Sequence, residues 1–214
     1  MTNNQLHGKR FEDFIKGCGL FPGSSDSGRS VTAGFDIEAK FDKIRGLPTS
    51  VKSSGSDGIG LSDARRFFAI DQDFRMLVGQ YKQAQGTKIF ASVHEFMVTK
   101  KVLTILRGEL TSMQIADFHN GLLLSNFPQG AHVDARKWAK LQKTLLSNIP
   151  SKIILNPKID SKTQRRLQCS VRLTDLIDAC KKTSEYTLHT QSIGNFVLPI
   201  IQNSKPRFAH SSPS

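Results

Sequence analysis

Asp36, Glu38, Ser50 and Lys52 are the residues whose types and spacing suggest a reaction. In Gly34-Phe-Asp-Ile-Glu-Ala-Lys-Phe-Asp42 apolar and charged residues alternate strictly. That pattern predicts a strand with Phe35, Ile37, Ala39 and Phe41 on one face and Asp36, Glu38, Lys40 and Asp42 on the other. Arg45-Gly-Leu-Pro48 supplies a turn, and Thr49-Ser-Val-Lys-Ser-Ser54 reads as a second short strand on which Ser50 and Lys52 share a face. Pairing the two strands brings a carboxylate and an ammonium together at one end of a hairpin. Such a pair suits phosphodiester hydrolysis. The carboxylate holds Mg2+, which polarises a phosphoryl oxygen and acidifies a bound water. The lysine orients that water or helps deprotonate it, and stabilises the charge growing on phosphorus. The plain alternative is a surface hairpin whose ion pairs are solvated and worth little.

The surrounding pattern predicts the elements that hold these residues. Phe11, Phe14 and Ile15 fall at helical spacing within residues 7–16, an amphipathic helix that carries Glu12 and ends near Gly17. A Gly- and Ser-rich loop covers 22–30. Residues 61–70 read as a helix, with Asp63 as its cap, and 74–79 and 88–98 as strands. From 102 to 147 the pattern is helical. Thr111 and Gln114 form a potential capping box, and Trp138, Leu141 and Leu145 an apolar stripe. Residues 152–155 and 167–173 read as strands, 175–182 as a short helix, and the last ten or so as a frayed tail. Helices and strands in this order predict an α/β (α+β) fold around a central mixed sheet. We expect a single domain over 1–182, with residues 183–214 as a C-terminal extension.

Between residues 152 and 172 cations crowd together. Lys158, Lys162, Arg165, Arg166 and Arg172 lie among Gln164 and Gln168 with a single acid, Asp160. Arginine grips guanine O6 and N7 with two donors, glutamine does likewise for adenine, and lysine suits phosphate. A two-stranded ribbon carrying them would fit a major groove; a solvated basic loop is the ordinary alternative.

An acidic residue followed by x-Lys in the next strand resembles the motif of the PD-(D/E)XK nuclease superfamily. Asp36 stands for its aspartate and Ser50-Val-Lys52 for its (D/E)xK element, while the helix of Glu12 lies where that superfamily often supplies a glutamate. Gly34-Phe35 replaces the proline before Asp36, and Ser50 replaces the second carboxylate, leaving Glu38 or Glu12 to supply an anion. The basic segment followed by Leu173-Thr-Asp-Leu-Ile177 is similar to the recognition region of small type II restriction endonucleases that cut four-base sites. The resemblance implies a restriction-endonuclease-like core and Mg2+ as cofactor. It implies catalytic roles for Asp36, Lys52, Ser50 and Glu12, with metal binding by Asp36 and Glu38. It further implies double-stranded DNA as partner, contacted by Lys158, Lys162, Gln164, Arg165, Arg166 and Gln168. A homodimer would suit a symmetric site, and a cognate DNA methyltransferase would be encoded elsewhere. A junction resolvase, a repair nuclease or a non-catalytic DNA-binding protein are the rival readings.

Composition agrees with that class and excludes others. Thirty Lys and Arg against eighteen Asp and Glu give a formal charge of +12, which favours a polyanionic partner. Apolar residues at 38% and charged ones at 22% suit a globular chain. Three scattered cysteines, Cys18, Cys169 and Cys180, form no zinc spacing and read as reduced thiols. Lacking an apolar run of spanning length or a signal peptide, the chain is expected to be soluble and cytoplasmic.

Overall fold

The computed structural model describes residues 3–24, 34–84 and 87–202, the side chains of 3–7 and 202 apart. The expected tail and most of the 22–30 loop lie outside these residues. No helix among those described is long and apolar enough to cross a membrane. The content is mixed α/β, with a central sheet of parallel and antiparallel strands. The chain divides into two compact units built from interleaved stretches, the first from 1–56, 74–96 and 187–214 and the second from 57–73 and 97–186.

In the first unit, helix α1 (Asn3–Gly17) precedes strand β1 (Thr49–Ser54). β1 pairs in parallel with β3 (Phe74–Ala84), from Thr49 opposite Arg75 to Ser54 opposite Gln80. β4 (Thr87–Val98) lies next to β3, and the short β10 (Ile200–Gln202) adds antiparallel to β4, with β7 (Tyr186–Thr190) also pairing β4. Tyr186–Thr190 and Ile200–Gln202, within the expected C-terminal extension, therefore contribute strands to this sheet. β8 (Ser192–Ile193) and β9 (Phe196–Val197) form a small hairpin. Phe11 and Ile15 of α1, Val51, Leu77, Phe90 and Val93 form the core, with the Phe11 and Phe90 rings stacked at 4.4 Å. Gly79 makes that closeness attainable, because a Cβ there would collide with both rings.

One expected strand is missing. Only Ile37 of the 34–42 segment bridges to Thr49, antiparallel, and residues Ala39–Phe41 wind into a 3-10 turn. The cause is local. Asp42 Oδ1 accepts the backbone N–H groups of Ile44 (3.2 Å) and Arg45 (3.1 Å), a turn that competes with strand extension.

The second unit contains the antiparallel sheet β2–β6–β5, built from β2 (Gly58–Asp63), β6 (Arg165–Arg172) and β5 (Ile153–Ile159). Five helices belong to it: α2 (Ala64–Phe68), α3 (Lys100–Arg107), α4 (Ser112–Gly121), α5 (His132–Ser147) and α6 (Leu173–Thr183). The expected 61–70 helix starts three residues late, because Ile59 and Leu61 alternate into β2. Asp63 then caps α2 through the Arg66 N–H. The Thr111–Gln114 capping box is present. The apolar stripe assigned to α5 is not. Leu141 and Leu145 are 65% and 61% exposed, and the helix packs through Ala135, Ala139 and half-buried Trp138. Trp138 packs against Phe118 and Phe127, over Gly121, where no side chain would fit.

Candidate active site

The segment around Asp36 lies along β1, the edge strand of its sheet. Asp36 N–H and Ile37 N–H both donate to Thr49 O at 2.9 Å, and Thr49 N–H returns a bond to Ile37 O at 2.8 Å. These bonds fix the carboxylate beside the next three residues of β1. Asp36 Oδ2 accepts from Val51 N–H at 2.7 Å, from Ser50 Oγ–H at 3.1 Å and from Lys52 Nζ at 3.1 Å. Strand alternation explains the selection. Val51 turns its side chain into the core under α1, which leaves Ser50 and Lys52 on the opposite face.

The Asp36 and Lys52 side chains are 12% and 20% exposed, so the pair is not the solvated surface contact of the plain alternative. A largely desolvated carboxylate bound by one ammonium, one hydroxyl and one amide is held in a single orientation.

Glu38 does not join the cluster: with the strand broken after Ile37 it shares no strand face with Asp36, is 61% exposed, and pairs with Lys40 at 2.8 Å. Glu12 pairs with Lys16 one turn along α1, at 2.9 Å. Among the described residues no group of three or more His, Cys, Asp or Glu is arranged to hold a metal ion. Asp36 therefore offers one carboxylate, with the neutral Ser50 hydroxyl beside it. Magnesium is commonly held by one or two carboxylates together with substrate phosphate and water. Such an ion here would need substrate phosphate and water, beside Asp36, to complete its coordination.

Two residues to which the sequence reading gave no role share the face of Lys52. Ser54 follows it by two positions, and Gln80 is paired with Ser54 across β1 and β3. Both contact the loop after β1: Ser54 Oγ donates to Ser56 O at 3.1 Å and Gln80 Nε2 to the same oxygen at 3.2 Å. Period-two spacing from Lys52 would have found Ser54; Gln80 required the register.

A second charged group is built around Arg75, which is buried. Arg75 Nη2 lies 2.8 Å from Glu95 Oε1, its Nη1 3.7 Å from Asp42 Oδ2, and its guanidinium 5.0 Å from the Phe21 ring. His189 Nε2 stands 2.8 Å from Glu95 Oε2. Burial alone would push Glu95 upward, but the His189 hydrogen bond and the Arg75 charge outweigh it and hold the carboxyl below its usual range.

In the second unit, the expected DNA-contacting residues divide in two. β5 and β6 pair from Ile153–Val171 to Ile159–Arg165, and β2 covers β6 only at Gln168–Arg172, so the ribbon is two-stranded at its tip. Lys158, Lys162 and Arg166 are exposed there, and Gln164 and Gln168 are half-buried. Arg165 is different. Its side chain is 2% exposed, and its Nη1 donates to Asp160 O at 2.8 Å and Gln164 O at 3.0 Å. It shares a strand face with Leu167, Cys169 and Val171, so it props the turn from within and is not available to a base. All three cysteines are buried, and burial pushes the Cys169 and Cys180 thiols up to about 12.

No family model matches the chain, and no curated protein or solved structure does.

Proposed function

We propose that the chain is a Mg2+-dependent endonuclease that hydrolyses phosphodiester bonds of double-stranded DNA at a specific sequence, in the manner of a type II restriction enzyme. The observation that carries this reading is the convergence of Lys52 Nζ, Ser50 Oγ and Val51 N–H on one shielded carboxylate oxygen of Asp36. Further support comes from the antiparallel step between Asp36–Ile37 and β1 within a mixed sheet, from the +12 charge, and from the exposed cations of the β5–β6 tip.

Mg2+, held by Asp36 and the scissile phosphate, would supply charge neutralisation at phosphorus and a more acidic water. The protein's own groups do the rest. Lys52 Nζ, fixed by Asp36, directs its remaining protons towards the attacking water and the phosphoryl oxygens, orienting the first and stabilising charge on the second. Val51 N–H and Ser50 Oγ keep the Asp36 carboxylate from rotating. Lys158, Lys162, Gln164, Arg166 and Gln168 provide the DNA contacts. Two copies of the chain would serve a symmetric site, each cutting one strand.

Incubating the purified chain with phage DNA and Mg2+ tests this reading. Discrete fragments support it. Cutting confined to branched substrates would replace it with junction resolution, and a gel shift with intact DNA would replace it with binding alone.

A further inference from the structure

Between α5 and the edge strand β5 runs a groove of about 380 Å3 whose walls carry Arg136, Lys140 and Lys143 from the helix and Asn156 and Lys158 from the strand. Four cations and, among the described residues, no acid line it. The three helix residues fall at i, i+4 and i+7, on one face. Asp134, the single acid of α5, is drawn to Lys137 at 3.7 Å. Arg136 donates to Ile159 O through Nε (3.2 Å) and Nη2 (2.9 Å), tying the helix to the strand edge. Lys140, Lys143 and Lys158 make no ion pair with any described residue. Like charges gathered without a counter-ion around a recess raise its potential, which an anion would relieve.

The groove adjoins a hydrogen-bonding surface. Lys158 is paired across the sheet with Arg166, and Asn156 with Gln168, so the β5 side chains at the groove continue into the polar side chains of β6. We propose that the α5–β5 groove takes the phosphate backbone of a DNA duplex, with Lys140, Lys143 and Lys158 each meeting a phosphate and setting the β6 side chains against base edges. The proposal rests on the reading that the chain acts on DNA. An anionic membrane is the competing partner, since Leu141 and Leu145 are exposed on the same helix. A recess suits a phosphate chain, whereas a flat headgroup layer cannot enter it.

The test compares the wild-type chain with a Lys140→Ala/Lys143→Ala/Lys158→Ala variant, leaving Arg136 in place. Binding to a non-specific duplex is followed by fluorescence anisotropy in EDTA from about 50 to about 200 mM salt. Three lost phosphate contacts should flatten the slope of log Kobs against log salt by about 2.7. The corresponding triple arginine variant should keep the wild-type slope, and circular dichroism confirms that both fold. An unchanged slope in the alanine variant overturns the proposal, as does wild-type binding to phosphatidylserine vesicles but not to duplex. Cleavage with Mg2+ is read in parallel. A flattened slope in a chain that never cuts supports the groove and defeats the nuclease reading; an unchanged slope with intact cutting does the reverse.

Discussion

Lys52 Nζ stands 3.1 Å from Asp36 Oδ2 across sixteen positions of chain, at a point where only one backbone bridge joins their two segments. The short bridge matters because it leaves Asp36 free of a regular ladder. Its carboxylate can therefore turn back onto β1 and gather Ser50, Val51 and Lys52 around one oxygen.

On the nuclease reading Ser50 stands where a second carboxylate would, and Ser50→Asp tests this. Two carboxylates sharing the one Lys52 ammonium repel, so the metal-free variant should melt lower, by ~2–4 °C for each kcal/mol of net repulsion. Millimolar Mg2+ should raise its melting temperature clearly more than it raises that of the wild type. Differential scanning fluorimetry with and without Mg2+ measures both shifts. Equal response in the two proteins would place Ser50 away from the ion.

Arg75 and Glu95 form a buried pair, and removing one partner strands the other. Glu95→Gln should cost about 3–5 kcal/mol if Arg75 stays charged and uncompensated. The wild-type pH profile follows from the lowered Glu95 value. A carboxyl depressed in the folded state contributes stability above the ordinary glutamate range, about pH 4.3, and loses it as pH falls through the folded value. Urea unfolding from pH 7 downwards should show that loss in the wild type and a flatter curve in the variant. Parallel curves would mean that Glu95 contributes nothing through its charge.

Arg165 and Arg166 are neighbours with opposite roles. Arg165→Ala should destabilise the fold by on the order of 2–3 kcal/mol, through lost charged hydrogen bonds inside the β5–β6 turn. Arg166→Ala should change stability by less than about 0.5 kcal/mol, as exposed substitutions do, while weakening DNA binding. Thermal melts and gel shifts on the two variants separate the effects.

These contrasts mark what could be read from the sequence. β1 was legible because Val51 alternates with polar neighbours, and α4 because Thr111 and Gln114 announce its start. The alternation over 34–42 was just as regular, yet the Asp42 turn overrode it, since two local hydrogen bonds compete with a ladder that meets β1 only at Ile37. Side-chain size misled at α5, where Leu141 and Leu145 look like core while Ala135 and Ala139 are the residues that pack. Arg165 shows the converse. Its charge suggested the surface, but its two-residue phase with Leu167 and Cys169 already placed it inside. The Glu95–His189 contact spans ninety-four positions and leaves no local trace. Asp36, Ser50 and Lys52 could be named from spacing, whereas Glu38 could not be dismissed without the backbone.

The central claim is that the Asp36–Lys52 cluster cuts DNA, and Lys52→Ala tests it most directly. Cleavage of duplex DNA in Mg2+ and binding in EDTA are measured on the variant and the wild type together. Lys52→Ala should cut at least about a hundredfold more slowly, the scale of losing one preorganised electrostatic donor, while binding duplex DNA as the wild type does. Full-rate cleavage by Lys52→Ala, or no cleavage by the wild type, would contradict it.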